Sequence, residues 1–331
     1  MPRDPRLYLE DIDMKIVPNS NHFHYGGQAV IEGVMMRGRH HMFVAVRNPA
    51  GEIVTHQEPL SSWIHTSPIT KWPFIRGLVM LWDTLALGIR TLTFSADVAL
   101  GEEDVQFSGP IAWGTIIISF AMGIGVFFLL PSALAKLIDH WVPYALLNSL
   151  LEGLIRIALF IAYIAAISLI PDIRRVFAYH GAEHKAINAL EAGQPLTLES
   201  VQRYTIAHTR CGTSFLLIVL VVSILLFAPF HFEQWSLRLL SRLILIPVVA
   251  GLSYEFLKFT ANHQDKAVVR WLSQPGLVLQ SLTTREPDDK MLEVSIAALK
   301  GVLAADGTLA AEQDASGEKR QPSSLGEAAS V

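Results

Sequence analysis

The stretch that decides the fold runs from Ile111 to Leu130 and reads IAWGTIIISFAMGIGVFFLL. It contains no charged residue. A helix needs about 20 consecutive apolar residues to cross the hydrocarbon core of a bilayer. Because uncharged apolar runs of this length are rare in the cores of soluble proteins, the stretch predicts a transmembrane helix.

Three further stretches are apolar enough to cross a bilayer. They lie at about Ile157–Ile170, with a mostly apolar run from Tyr144 ahead of it, at Thr213–Phe230, and at about Leu239–Phe256. Only a few residues, around His231–Ser236, separate the last two, which predicts an antiparallel hairpin in the membrane. The alternative is four core helices of a soluble bundle. We therefore expect a polytopic α-helical membrane protein whose four-helix transmembrane region covers residues 111–258.

The composition supports this fold class. The chain has 331 residues, of which 51% are hydrophobic and 17% are charged, whereas soluble proteins carry about 25% charged residues. The net charge of −4 gives no basic field, so nucleic acid is not an expected partner. A single cysteine excludes an internal disulfide and favours a reducing compartment.

Basic residues predict the orientation in the membrane. The segment between the second and third spans, residues 172–212, carries Arg174, Arg175, Lys185, Arg203 and Arg210, whereas the opposite side has Lys136 and little else. Because cytoplasmic loops carry the excess of Lys and Arg, we expect this motif loop and both termini to be cytoplasmic. The expected location is the inner (plasma) membrane, with the lipid bilayer as a partner.

The remaining segments are expected outside the bilayer. A turn signal at Asn48–Gly51 predicts a β-hairpin in the cytoplasmic N-terminal segment. Residues 74–96 carry three charges and predict an amphipathic helix on or beside the membrane, with a fifth span as the alternative. The expected divisions are a tail at 1–21, a β-rich segment at 22–60, a helical connector at 61–110, cytoplasmic helices at 259–303 and a disordered tail at 304–331.

A metal-binding pattern lies in the motif loop. Tyr179–Leu190 reads YHGAEHKAINAL, and His180 and His184 project from the same face of a helix. In the pattern His-x-x-Glu-His the two histidines bind zinc and the glutamate acts as a general base on water. We therefore expect a divalent metal, with zinc as the first choice, and Glu183 as the catalytic base.

Such a site needs a third ligand. His208 and Cys211 in AHTRCGTSF are the nearest candidates in sequence, and Glu255 and His263 come next. The alternative for the two histidines is a solvated helix face that Lys185 and Glu191 complete. Cys211 is equally interpretable as a small buried residue.

Three other polar positions have two interpretations each. Glu255, within an apolar run, is either a site residue or the partner of Lys258. Glu32 and Arg37, in GGQAVIEGVMMRG, are either polar contributors to the site or parts of a turn and strand with glycines at the bends. Arg285 and its neighbouring hydroxyl residues favour capping and packing.

Five segments resemble those of a known family. They read GGQAVIEGVMMRG, YHGAEHKAINALEAG, HTRCGTSF, SYEFLKF and PGLVLQSLTTREPDDKMLEVSIAALK, between Phe23 and Val302. The resemblance is to the YqhQ-type bacterial membrane protein family, whose function is unknown and whose members are described as predicted metal-dependent enzymes. It implies a polytopic membrane protein, with the positions from His180 to His184 and from His208 to Cys211 matching the family's motifs. Thr209 departs from the proline expected in relatives.

Three functions compete at this point. The first is a membrane-embedded metal-dependent hydrolase at the cytoplasmic interface, with peptide or amide hydrolysis as the default reaction and an unknown protein or small molecule as substrate. The second is a non-enzymatic membrane scaffold or metal-responsive regulator. The third, a transporter, is disfavoured because the spans carry few charges and show no inverted repeat.

Overall fold

A computed structural model describes most of the chain between residues 23 and 308. The exceptions within that range are residues 61–66, 69, 71, 102–109, 139–140, 142–143, 231, 233 and 264–265. The described chain is mostly helical, with a small N-terminal antiparallel sheet and four candidate apolar spans. The expected N-terminal tail and the expected disordered tail beyond Thr308 lie outside the described residues.

The N-terminal segment is a four-stranded antiparallel meander. Its strands are β1 (Gly26–Val30), β2 (Gly33–Arg37), β3 (His41–Arg47) and β4 (Ile53–Pro59). The hairpin expected at Asn48–Gly51 is confirmed, with the Gly51 N–H donating to the Asn48 carbonyl at 2.9 Å. The glycine-rich stretch forms β1, a two-residue turn and β2, which the single expected hairpin did not include.

Ten α-helices and one π-helical turn among the described residues complete the fold. They are α1 (Ile75–Leu100), α2 (Pro110–Ile124), which runs through a π-helical turn (Gly125–Leu129) into α3 (Leu130–Ile138), α4 (Ala145–Ile167), α5 (Pro171–Glu191), α6 (Leu198–Gln202), α7 (Gly212–Phe227), α8 (Trp235–Asn262), α9 (Ala267–Thr283) and α10 (Asp289–Ala305). The sheet lies between two helical layers. One face packs on α5 and α10, and the other on α1.

Three of the four expected spans have a counterpart among the candidate spans. By length and composition the candidates are Ile75–Leu100, Ile117–Ile138, Leu146–Ile167 and Ser236–Thr260. The helix at 75–100 therefore meets the length and composition of a span, so the surface helix and the fifth span both stay predictions for residues 74–96. Its charges have partners, since Arg76 pairs with Glu255, Asp83 with Arg37 and Arg90 with Glu58.

The stretch expected to be the third span forms a shorter helix. α7 has 16 residues, fewer than the roughly 20 that cross a bilayer. It packs against α8, as the expected hairpin requires, and also against α9 and α4. Its polar N-terminal turn therefore lies inside the protein, next to the motif helix.

α4 and α5 are separate helices. α4 ends at Ile167, and Pro171 opens α5 at its first position after Ile170, whose backbone is extended with φ −72° and ψ 125°. Proline suits the first turn of a helix and forces the preceding residue out of helical geometry. The two helices are therefore not continuous, and α5 takes its own direction.

The C-terminal helix α10 closes the fold. Asp288 caps it by accepting from the Met291 N–H at 2.9 Å, and Leu292, Ile296, Leu299 and Leu303 are all buried. The expectation of a disordered tail from about Ala304 was wrong for the first residues, because the helix continues to Ala305. Asp306 then accepts from the N–H groups of Arg39, His40 and His41.

Candidate functional site

The motif helix α5 is polar in sequence but buried in the fold. Residues 181–187 are all buried, including Glu183, His184 and Lys185, which are 5%, 1% and 5% exposed. Helix α10 and the sheet cover one side, and Ser295 of α10 donates to the Ala182 carbonyl at 3.0 Å. The alternative of a solvated helix face is therefore wrong. Burying polar side chains is costly unless they are paired, so their partners are informative.

Both histidines are held by backbone carbonyls. Nδ1 of His180 lies 2.9 Å from the Thr283 carbonyl, and Nδ1 of His184 lies 2.6 Å from the Ile206 carbonyl. Because a carbonyl only accepts, each Nδ1 carries the proton that it donates. The Nε2 atom of each ring is therefore the one available to a ligand. Histidines that bind metals in proteins are oriented by this kind of outer hydrogen bond.

Cys211 meets the two histidines from another helix. It caps the N-terminus of α7 by accepting from the Thr213 N–H at 3.4 Å, and its Sγ lies 3.2 Å from Nε2 of His180. One donor atom each from His180, His184 and Cys211 lie within 4.8 Å of one another. Ligands around a tetrahedral zinc are separated by roughly 3.3–3.8 Å, so this group fits a zinc ion after a small contraction.

The thiol and the imidazole form a mutually stabilised pair. Burial would raise the pKa of the Cys211 thiol, but the hydrogen bond with His180 and the nearby histidine charges lower that pKa to about 4. Burial would likewise lower the pKa of His180, but its contacts with Cys211 and the charge of Glu183 raise that pKa to about 9. A thiolate facing an imidazolium is the charge state at neutral pH, and a cation can replace the imidazolium proton.

Glu183 lies beside the donor group. Its Oε2 is 3.4 Å from Nε2 of His184. A Cβ placed on Gly27 of β1 would lie 2.8 Å from Cγ of Glu183, so the glycine lets the strand approach this side chain closely. The first strand of the sheet therefore forms one wall of the site. The close approach holds the carboxylate next to the histidines.

His208 lies next to the donor group without joining it. Its ring centroid is 5.5 Å from that of His184, and its Nε2 is 3.5 Å from Oε2 of Glu191. That nitrogen is buried and has no hydrogen-bond partner among the described residues. Burial lowers the pKa of His208, which favours the neutral ring. Of the two nearest candidates for a third ligand, the described geometry groups Cys211 with the histidines.

The other candidate residues lie elsewhere. Glu255 accepts from Nε of Arg76 at 2.7 Å and from the Phe74 N–H at 3.1 Å, and its carboxylate is not grouped with the histidines among the described residues. The expected pairing with Lys258 is replaced by the one with Arg76. His263 is bonded through Nδ1 to the Phe259 carbonyl at 2.8 Å. The described geometry therefore does not group Glu255 or His263 with the three donor atoms.

Glu32 and Arg37 act as structural links. Glu32, at the β1–β2 turn with a φ of 51°, pairs with Arg175 at 2.6 Å and accepts from the Tyr179 hydroxyl at 3.3 Å. Arg37 pairs with Asp83 of α1. Both residues therefore attach the sheet to helices, and neither is grouped with the donor atoms. The stretch forms strands and a turn, as one interpretation expected, although the turn itself is Ile31–Glu32 and contains no glycine.

Residues of α9 that we read as packing groups also build the site. Gln280 receives the His208 N–H and donates to the His208 carbonyl, both at 2.9 Å. The Thr283 hydroxyl lies 3.1 Å from that of Thr213, and the Thr283 carbonyl holds His180. The signal in the sequence was the polar run QSLTT at the end of an apolar helix. The capping role of Arg285 is confirmed by its donation to the Ser281 and Thr284 carbonyls.

Comparisons with known proteins agree with the resemblance. Residues 72–305 match the family described as "Protein of unknown function (DUF1385)". The chain is 36% identical over 292 residues to "Uncharacterized protein YqhQ" of Bacillus subtilis (strain 168), an alignment that covers 84% of this chain and 92% of that protein. No solved structure matches the chain. With most of its length in these matches, the chain belongs to the DUF1385 family, which includes YqhQ.

Proposed function

We propose that the chain is a multi-pass protein of the inner (plasma) membrane and a metal-dependent hydrolase whose site faces the cytoplasm, with both termini on that side. The spans support the first part. Large apolar side chains on them are more than half exposed, including Ile117, Ile118, Leu154, Leu243 and Ile244. A water-soluble protein rarely exposes apolar surface on this scale, whereas lipid covers it at no cost.

The convergence of the three donor atoms carries the proposal of a metal. Both Nδ1–H groups are tied to carbonyls, so a cation that displaces the Nε2 proton of His180 would meet the Nε2 atoms and the Cys211 thiolate together. Imidazole and thiolate ligands together select zinc among the abundant divalent metals. His180, His184 and Cys211 would hold the ion, and three protein ligands are typical of catalytic zinc sites.

The hydrolytic role rests on Glu183. When bound, a divalent metal would supply Lewis-acid activation of water and of a carbonyl. The Glu183 carboxylate is the group beside the donors that can accept a proton from attacking water. His208, whose buried Nε2 makes no hydrogen bond among the described residues and lies 3.5 Å from Oε2 of Glu191, is the neighbouring side chain that would hydrogen bond a substrate. Peptides or other amides are the default substrate class by analogy with the motif.

Metal content tests the site. Purified full-length protein is expected to contain close to one zinc per chain, and the His180→Ala/His184→Ala double variant is expected to lose it. The matched control is His263→Ala, which removes a histidine outside the donor group. Retention of full metal by a folded double variant would refute the site.

The enzymatic role needs a separate test, because a scaffold or metal-responsive regulator could carry the same metal. The Glu183→Gln variant keeps the size of the side chain and removes the base. A hydrolase is expected to retain zinc in this variant and to lose the ability to complement a deletion strain. Full complementation by Glu183→Gln would instead favour the non-enzymatic alternative.

Orientation is tested with reporters. A C-terminal fusion to alkaline phosphatase is expected to be inactive and a fusion to a fluorescent protein to be bright, because both termini are proposed to be cytoplasmic. The reverse pattern would contradict the proposed topology and place the metal site on the opposite side of the membrane.

A further inference from the structure

A cluster of charged residues lies inside the helical bundle, apart from the candidate metal site. We call it the arginine cluster, and it consists of Glu152 and Arg156 of α4 and Arg238 and Arg242 of α8. All four side chains are at most 4% exposed. Arg156 is the twelfth of the 23 residues of α4, so it lies at the middle of a candidate span. Charges in such positions are costly and mark functional sites by default.

The cluster carries an excess of positive charge. Glu152 accepts from Arg156 at 2.9 Å and from Arg238 at 2.8 Å, and Arg242 lies 3.5 Å away. Among the described residues, Glu152 is the single carboxylate that contacts these guanidinium groups. Three positive charges against one negative charge leave a net charge of +2. Nε of Arg238 and both Nε and Nη2 of Arg242 have no hydrogen-bond partner in the described part of the chain.

Arg156 is held in place by the backbone of the neighbouring helix. Its Nε donates to the Phe127 carbonyl at 2.9 Å. Pro131, four residues after Phe127, has no N–H to donate to that carbonyl, which leaves it available. Phe127 lies in the π-helical turn at Gly125–Leu129, and such turns occur often at functional sites. The backbone between α2 and α3 thus provides a hydrogen-bond acceptor for this guanidinium.

A cavity of about 310 Å³ adjoins Arg156. Its wall is apolar apart from Arg156 and Ser223, whose hydroxyl donates to the Leu220 carbonyl at 2.7 Å and accepts a long 3.4 Å hydrogen bond from Nη1 of Arg156. Leu216, 45% exposed, lines the same cavity, so the cavity reaches the outer surface of the bundle. Ser223 and Leu216 are seven residues apart on α7, which gives an apolar path about 10 Å long.

We propose that this cavity binds an amphipathic anion, with its carboxylate or phosphate head on Arg156 and its apolar chain directed towards Leu216. An anion would offset the net charge that Glu152 leaves uncompensated, because Arg forms strong bonds to both head groups. The cavity volume lies at the lower end of the range for small-molecule sites. A membrane supplies ligands of this class, and the exposed end of the cavity would admit their chains.

Binding to the purified full-length protein tests the proposal. Decyl phosphate is titrated calorimetrically below its micelle-forming concentration, against decanol and inorganic phosphate. Saturable binding of decyl phosphate, with both comparison compounds at least about tenfold weaker, is the expected result. Equal binding of decanol would show an apolar cavity only. Equal binding of inorganic phosphate would show a site for free anions. Either result overturns the proposal.

Variants assign the binding to this site. Arg156→Met is expected to weaken decyl phosphate at least about tenfold, because it removes the charge that faces the head group. The control Arg90→Met removes an exposed arginine of α1 and is expected to have no effect. Unchanged affinity in Arg156→Met would overturn the assignment.

A second pair of variants covers the case in which Arg156→Met fails to fold. Val219 lines the cavity, whereas Val221 on the same helix is exposed and does not line it. Val219→Phe is expected to reduce the affinity for decyl phosphate about tenfold or more, and Val221→Phe is expected to leave it unchanged. Equal affinities in these two variants would contradict the proposal.

Discussion

Sγ of Cys211 lies 3.2 Å from Nε2 of His180, although the two residues are 31 positions apart in the sequence and belong to different helices. The contact exists because Cys211 caps α7, whose N-terminal turn is packed against the motif helix and the end of α9. A thiol and an imidazole at this distance share a proton in the metal-free protein. They thereby form an ion pair at the proposed metal site.

The thiolate should be visible in a pH titration. Because the chain has one cysteine, the ultraviolet absorbance of the thiolate reports on Cys211 alone. In chelator-treated protein the thiol is expected to remain ionised as the pH falls from neutral and to protonate only near a pH of about 4, since its pKa is lowered to about 4. The Cys211→Ser variant supplies the blank. A midpoint at the ordinary value of about 8.5 would contradict the ion pair.

Gly27 is expected to control the position of Glu183. A Cβ at Gly27 would lie 2.7 Å from the Met35 carbonyl oxygen and 2.8 Å from Cγ of Glu183, so the strand or the carboxylate must move in Gly27→Ala. Overpacking of this kind costs about 1–3 kcal/mol. We expect a lower Tm and reduced complementation of a deletion strain.

Gly26→Ala is the matched control for Gly27→Ala. A Cβ at Gly26 would meet nothing within 4 Å, so the same substitution one residue earlier should change the free energy of unfolding by less than about 0.5 kcal/mol. Equal Tm values and equal complementation in the two variants would argue against a close approach of β1 to Glu183.

Glu255 should matter for stability and not for metal binding. Its carboxylate pairs with Arg76 and accepts the Phe74 N–H at the start of α1, where a negative charge stabilises the helix. Glu255→Gln is expected to lower the free energy of unfolding by about 1 kcal/mol and to leave the zinc content unchanged. Lys258→Gln, with no ion pair to lose among the described contacts, is the control. Loss of zinc in Glu255→Gln would restore this residue as a ligand candidate.

Asp306 is expected to hold the sheet on the C-terminal helix. Its buried carboxylate accepts from Arg39 N at 2.5 Å, His40 N at 3.1 Å and His41 N at 3.2 Å. Asp306→Ala leaves these donors without their acceptor and should cost about 2–4 kcal/mol. Thermal unfolding and limited proteolysis at β2 and β3 would measure the loss. Glu199→Ala, in an exposed pair with Arg203, should have little effect, and a similar small effect for Asp306→Ala would contradict the anchoring role.

Local patterns in the sequence were sufficient for several elements. The turn at Asn48–Gly51 depends on residues within four positions of one another. The apolar runs also indicated helices of the right kind, because helix length and hydropathy are local properties. The pair His180 and His184 was recognisable because helical spacing places both rings on one face.

Ion pairs between residues that are far apart in the chain could not be predicted from the sequence. The charges of α1 suggested a surface helix because Arg76 and Asp83 had no visible partners, and those partners lie 179 and 46 residues away. The arginine cluster was missed for the same reason, since Glu152 and Arg238 are 86 positions apart. A charged residue within an apolar run argues against burial unless its partner of opposite charge is known. That partner is identified only by the tertiary structure.

By itself the sequence determined that the chain is mostly helical and rich in apolar segments, with a histidine pair on one helix face, because these properties follow from the composition and spacing of neighbouring residues. Only the tertiary structure decided that Cys211 joins the pair, that Glu255 and Glu32 do not, and that Gln280 and Thr283 form the walls. The physical reason is that ligand distances of a few ångströms are set by how helices pack, and packing depends on contacts between residues far apart in the chain.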